Sequence, residues 1–152
     1  MNKVEFSAVT GLPRILIQCN PSWDQWTDLC EAVWVTALEG GCNYWMDRIE
    51  VNRNHDAWKT RLALGFVDGP DIKKGSDLMK NIPLKVYHNA DDWESGESEI
   101  TEGLSFDIVA VGINNLPPEV KLSIMNPYTC DIDAEIADQI VQTGLFGSAV
   151  YG

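Results

Sequence analysis

Ser22-Trp23-Asp24-Gln25-Trp26-Thr27-Asp28-Leu29-Cys30-Glu31-Ala32-Val33-Trp34-Val35-Thr36-Ala37-Leu38-Glu39-Gly40-Gly41 is the stretch from which the architecture follows. Ser22 and Gln25 form a capping box, in which the hydroxyl accepts from the amide three residues on and the Gln side chain reaches back to the Ser22 amide. A helix is therefore expected to start at Ser22. Trp23, Trp26, Leu29, Cys30, Val33, Trp34, Ala37 and Leu38 recur at helical spacing, so one face is apolar and its tryptophans serve the core. Gly40 and Gly41 are expected to end this helix through the left-handed conformation that glycine enters without steric penalty.

Working outward, Val4 to Val9 and Arg14 to Gln18 are β-prone runs separated by Gly11 and Pro13, which predicts a short hairpin. Downstream, Tyr44 to Val51 reads as a strand. The span from Asn52 to Lys80 is less legible, with an apolar run at Leu62 to Val67, a turn signal at Asp68 to Asp71 and one helical turn at Asp77 to Asn81. Leu84 to Tyr87 reads as a strand and Asp91 to Glu102 as an exposed acidic loop. Leu104 to Val111 is expected to be an interior strand and Lys121 to Met125 another short one. The last helix runs from about Asp133, its N-cap, to Gly144, burying Ile136, Ile140 and Val141, and Gly147 stops the chain beyond it. These elements predict an α+β fold, a single domain over residues 1–152, with a mostly antiparallel sheet packed by two main amphipathic helices.

A chain of 152 residues with 45% hydrophobic and 22% charged residues is long and apolar enough for one sizeable core. Its formal charge of −12 argues against binding nucleic acid or an anionic membrane, where Lys and Arg must neutralise phosphates. The longest apolar runs fall short of the ~20 residues of a spanning helix, so neither membrane insertion nor export is expected. Cys19, Cys30, Cys42 and Cys130 form no Cys-x-x-Cys pair and read as reduced thiols.

Two segments carry the candidate site. Glu39, Gly40 and Gly41 lead into Tyr44 and Trp45, where glycines let a ligand approach the backbone and aromatic faces can stack on a planar base. The competing reading is structural: glycines as a helix end, Trp45 in the core. Asp138, Gln142 and Phe146, spaced i, i+4 on the final helix, place a hydrogen-bonding edge beside an aromatic ring; the alternative is a polar face turned to water. The two segments are expected to meet in one neighbourhood, and Val150-Tyr151-Gly152 to pack on the body or across a subunit boundary.

Catalysis has no convincing constellation. His55 and His88 are the two histidines, both read as surface residues, and the aspartates match no Ca²⁺ loop. No Walker loop, dinucleotide fingerprint or nucleophile elbow occurs, and no catalytic group, metal or cofactor is expected.

The runs Ala37-Leu38-Glu39-Gly40-Gly41-Cys42-Asn43-Tyr44-Trp45, Asp133 to Gln142, Leu145-Phe146-Gly147 and Val150-Tyr151-Gly152 together resemble a family of small tailed-phage proteins. That resemblance implies a phage origin and action in the host cytoplasm, and it supplies neither ligand nor catalytic residue. The function expected is that of a counter-defence protein, a homo-oligomer that binds and sequesters a small nucleotide signal without catalysis. The alternative is an acidic inhibitor or assembly factor that covers a host or phage protein, or a minor virion component.

Overall fold

The computed structural model describes residues 5–6, 13–14, 22–63, 81–89, 98–125 and 132–152. In chain order these form β1 (Glu5–Phe6), β2 (Pro13–Arg14), α1 (Trp23–Thr36), a π turn (Ala37–Gly41), β3 (Met46–Val51), α2 (Asp56–Ala63), β4 (Pro83–Asn89), β5 (Ser98–Leu104), α3 (Ser105–Asn114), α4 (Pro118–Met125) and α5 (Ala134–Phe146). The arrangement is α+β, with an antiparallel sheet packed by helices.

Helix α1 begins where the capping box places it. Ser22 Oγ accepts from the Gln25 amide at 3.2 Å and Gln25 Oε1 from the Ser22 amide at 2.9 Å. Leu29, Cys30, Val33, Trp34 and Ala37 are buried along one face. The Trp34 indole N–H donates to the Ser105 carbonyl at 3.0 Å, which satisfies its polar atom inside the core. Trp26 is half-buried, edge-on to Phe106; the Trp23 side chain lies outside the description. Gly40 and Gly41 do not end the helix in the left-handed region. The helix instead widens by one residue, the Cys42 amide donating to the Ala37 carbonyl at 2.9 Å, and Gly40 is extended at φ 177°. Gly41 is required for a different reason: a Cβ there would stand 2.8 Å from the Ala134 carbonyl oxygen.

The main sheet has the order β3-β4-β5, with Ile49 opposite Val86 and Val86 opposite Thr101. Alternation along β4 buries Leu84, Val86 and His88 against the helices and turns Lys85 and Tyr87 to the other face. On that outer face the Arg48 guanidinium lies 3.9 Å from the Tyr87 ring centroid and pairs with Glu50 at 3.2 Å. β1 and β2 pair antiparallel, Glu5 opposite Arg14, which places a hairpin at the expected site; the remainder of its two runs lies outside the described residues.

Three expectations are overturned. Leu104 to Val111 is not an interior strand: Leu104 ends β5 and Ser105 starts α3, whose buried Phe106, Ile108, Val109, Gly112 and Ile113 follow a helical period despite their β-branched composition. Ser98 to Glu102, expected to be exposed loop, forms the edge strand β5, because backbone pairing with β4 outweighs a polar composition. Lys121 to Met125 is helical, within α4. The turn at Asp68 to Asp71 and the 91–97 part of the acidic loop lie outside the described residues, while α2 occupies ground where no helix was expected.

Helices α3 and α5 meet through a reciprocal pair of glycines. A Cβ on Gly112 would overlap the Ile140 carbonyl oxygen and lie 2.9 Å from Ile140 Cγ2. A Cβ on Gly144 would overlap the Ile108 carbonyl oxygen and lie 2.8 Å from Ile108 Cγ2. Ile108 and Gly112 are four residues apart on α3, as Ile140 and Gly144 are on α5. Each helix thus presents an Ile and a Gly on one face, and the two faces interlock backbone to backbone.

Candidate functional site

The π turn and α5 bring the two motif segments together. Beyond Gly41, the Trp45 and Met46 amides donate to the Cys42 carbonyl at 3.2 and 2.9 Å, a tight turn that points Tyr44 and Trp45 toward α5. Asp133 caps α5 by accepting from the Ile136 amide at 2.8 Å, which sets the helix register and puts Asp138, Gln142 and Phe146 on the facing side.

Asp138 is the centre of the junction. Its Oδ1 accepts from Trp45 Nε1 at 2.7 Å and Gln142 Nε2 at 2.8 Å, and its Oδ2 accepts from the Tyr44 hydroxyl at 2.5 Å. The Cys42 thiol also points at Oδ1, at 3.7 Å. While the Tyr44 hydroxyl donates to Asp138, its oxygen accepts from Gln142 Nε2 at 3.1 Å. Gln142 and Trp45 are fully buried, so the polar side of α5 faces inward, not toward water.

The junction is closed by the 148–152 segment. Gln142 Oε1 accepts from the amides of Val150 at 2.8 Å and Tyr151 at 2.7 Å, while its Nε2 lies 3.2 Å from the Tyr151 carbonyl. The Tyr151 ring stacks on Trp45, with centroids 5.4 Å apart and planes 3° from parallel. Phe146 stands edge-on to both rings, and His88 tilts against Phe146 at 4.9 Å. The Tyr151 hydroxyl reaches His88 Nδ1 at 2.7 Å, and His88 Nε2 reaches Thr101 Oγ1 at 2.9 Å.

Burial governs the protonation states. His88 is buried, not a surface residue as expected, and desolvation lowers its pKa against the opposing pull of Glu99 and Asp47. The Tyr44 ring is half exposed, but desolvation of its hydroxyl, followed by the bond to Asp138, pushes its pKa up to about 12. Burial likewise raises the Cys30 thiol to about 12 and the Cys42 thiol still higher, Asp138 adding to the latter. Both thiols are protonated and inert at neutral pH.

Of the residues singled out in the sequence, Tyr44, Trp45, Asp138, Gln142 and Phe146 share one neighbourhood, with Gly41 at its base. Glu39 and Gly40 do not join it and are exposed on the outer side of the π turn. Sequence reasoning missed Cys42, His88 and the part played by Tyr151; the aromatic in the final motif was the available signal for Tyr151, and the burial phase of β4 for His88.

A separate cleft of about 340 Å³ is lined by Asn52, Asn54, His55, Asp56, Lys85 and Glu102. His55 Nδ1 accepts from the Ala57 amide at 3.0 Å, and the buried Asn52 Oδ1 has no hydrogen-bond partner among the described residues. Among the described residues, no group of three or more His, Cys, Asp or Glu side chains is placed to hold a metal ion, and no helix is long and apolar enough to cross a membrane. Comparison with family models, curated proteins and solved structures finds no match to this chain.

Proposed function

We propose that this chain is a non-catalytic phage protein that acts in the host cytoplasm as an acidic inhibitor or assembly factor, covering a basic surface of a host or phage protein. The observation that carries this reading is the filled junction: the aromatic and amide groups that would hold a small ligand are engaged by the chain's own Tyr151. Recognition then falls to the acidic surface of a molecule of charge −12. The close approach of Gly41 to Ala134 supports it, because it brings exposed Glu39 to the same region as exposed Asp133 and Glu135. Carboxylates so placed favour a Lys- or Arg-rich partner and speed encounter with it.

Affinity purification of the tagged chain from infected cells, at low and high salt, tests this. A stoichiometric partner that is lost at high salt, and lost again in the Glu39→Lys, Glu135→Lys double variant with unchanged melting temperature, is the expected result. Recovery of no partner at low salt would refute it.

A second reading, sequestration of a small nucleotide signal, has one observation in its favour. The parallel Trp45–Tyr151 stack is the geometry of a base on an indole, and the Gln142 amide is the kind of edge that pairs with adenine. A nucleotide would have to displace residues 150–151. Mass spectrometry of small molecules released by heating the purified protein, with a thermal-shift panel of cyclic nucleotides, separates the two readings; a nucleotide recovered from infected cells selects the second.

A further inference from the structure

The cleft between the end of β3 and the start of α2 holds a polar group that the packing of the chain does not explain. Asn52 is pinned through its backbone, its amide donating to the Pro83 carbonyl at 2.8 Å and its carbonyl accepting from the His55 amide at 3.2 Å. Its side chain lines the cleft, is 4% exposed, and leaves Oδ1 without a hydrogen-bond partner among the described residues. A buried acceptor without a donor is costly, so a donor from outside the fold is called for. The terminal torsion of asparagine is broad and roughly two-fold, so turning the amide offers Oδ1 to the cleft and breaks no bond that Oδ1 makes.

Charges of both signs line the same space. Lys85 and Glu102 stand opposite one another across β4 and β5, and Asp56 opens α2. Among the described residues none of the three is in an ion pair, so an ammonium and two carboxylates border one cleft without neutralising each other. His55 Nδ1 accepts from the Ala57 amide, which leaves the neutral ring its proton on Nε2, a donor. Lys85 is on the sheet face turned away from His88, so this site is separate from the Tyr151 junction.

We propose that the cleft binds a free α-amino acid with a small polar side chain, as the zwitterion. The ligand ammonium donates to Asn52 Oδ1 and to the carboxylates of Asp56 and Glu102; the ligand carboxylate accepts from Lys85 and from His55 Nε2. A volume of about 340 Å³ is at the lower end of the range of small-molecule sites, and every lining residue is polar, which suits a small polar ligand. A zwitterion brings no net charge, so the formal charge of −12 does not repel it. The site does not rest on the partner reading above.

Titration of the isotope-labelled full chain with glycine, serine, asparagine and glutamine, followed by NMR at the amides of Asn52 to Asp56, Lys85 and Glu102, tests this. Saturable shifts confined to these amides are expected. Nα-acetylasparagine, which lacks the ammonium, and asparaginamide, which lacks the carboxylate, should each bind about tenfold more weakly than asparagine. Lys85→Met should weaken asparagine binding by a similar factor and leave asparaginamide binding unchanged, because the same contact is already missing. Asn52→Leu should lose binding while its melting temperature holds or rises, the reverse of what a structural asparagine would show. Lys85→Met carries the test should Asn52→Leu not fold. No saturable binding of any of the four amino acids overturns the proposal. Equal affinity for asparagine and its two derivatives overturns it too, as does binding that folded Asn52→Leu or Lys85→Met leaves unchanged. These measurements use the chain alone, so their outcome is separate from that of the partner search.

Discussion

Alanine at Gly112 or Gly144 sets two physical effects of opposite sign against each other. In an open helix the change is favourable, because alanine exceeds glycine in helix propensity by about 1 kcal/mol. Here each new methyl would meet backbone: Ile140 C at 2.8 Å from the Gly112 position and Ile108 C at 2.7 Å from the Gly144 position, with the carbonyl oxygens nearer still. A flexible side chain can rotate away; a carbonyl inside a helix moves only with its helix. Overpacking a core costs roughly 1–3 kcal/mol where side chains yield, and the rigid obstacle puts these sites at or above the upper end. Net of propensity, each substitution is expected to destabilise by about 2 kcal/mol or more. The pair should be less than additive, since the helices separated by the first methyl already make room for the second. Urea unfolding followed by tryptophan fluorescence and far-UV dichroism measures all three variants. Stabilisation by either alanine would show that α3 and α5 do not meet at these glycines and would refute the packing account.

Protonation of His88 is disfavoured in the folded state, so the unfolded chain takes up its proton first as pH falls below the ordinary histidine value of ~6.5. Its contribution to stability is complete above that pH and declines below it; melting temperatures from pH 8 to 5 should fall less steeply in His88→Gln than in the parent. Tyr44 has the opposite sense: its pKa is raised to about 12, so its contribution is present below the ordinary tyrosine value and is lost as pH rises through the folded one. Phenolate absorbance after a rapid alkaline jump should show a late-ionising tyrosine that Tyr44→Phe removes. Trp34→Phe breaks a buried hydrogen bond to Ser105, whereas Trp58→Phe removes a buried indole N–H that has no partner among the described residues. The first should cost about 2 kcal/mol more than the second in chemical denaturation; equal losses would mean that the Ser105 bond contributes nothing.

Local chemistry was enough to determine the helix ends at Ser22 and Asp133 and the stop at Gly147, because each depends on groups within a few residues of one another. The same holds for the core-facing period of α1, whereas the faces of β3 are not cleanly sorted in the sequence: its buried Met46, Ile49 and Val51 do not alternate, and the register shifts between Met46 and Arg48. The meeting of Tyr44 with Gln142 was expected from two distinctive segments, yet its bonding was not legible. Asp138 and Gln142 read either as a ligand-facing edge or as a solvated helix face, and only contact with Trp45, Tyr44 and the 148–152 segment turns them inward. The strand expected at Leu104 to Val111 failed because Ile108, Val109 and Val111 have high strand propensity, while the α3–α5 interface that selects a helix depends on Gly112 and Gly144, poor helix formers whose value is close approach. His88 was decided likewise by the register of β4 against β3 and β5, which turns it toward Trp45 and Phe146. Caps and periodic faces are short-range and reside in the sequence; the burial of a polar side chain depends on residues that arrive from 60 or more positions away, as Tyr151 does at His88, and only the tertiary structure brings them.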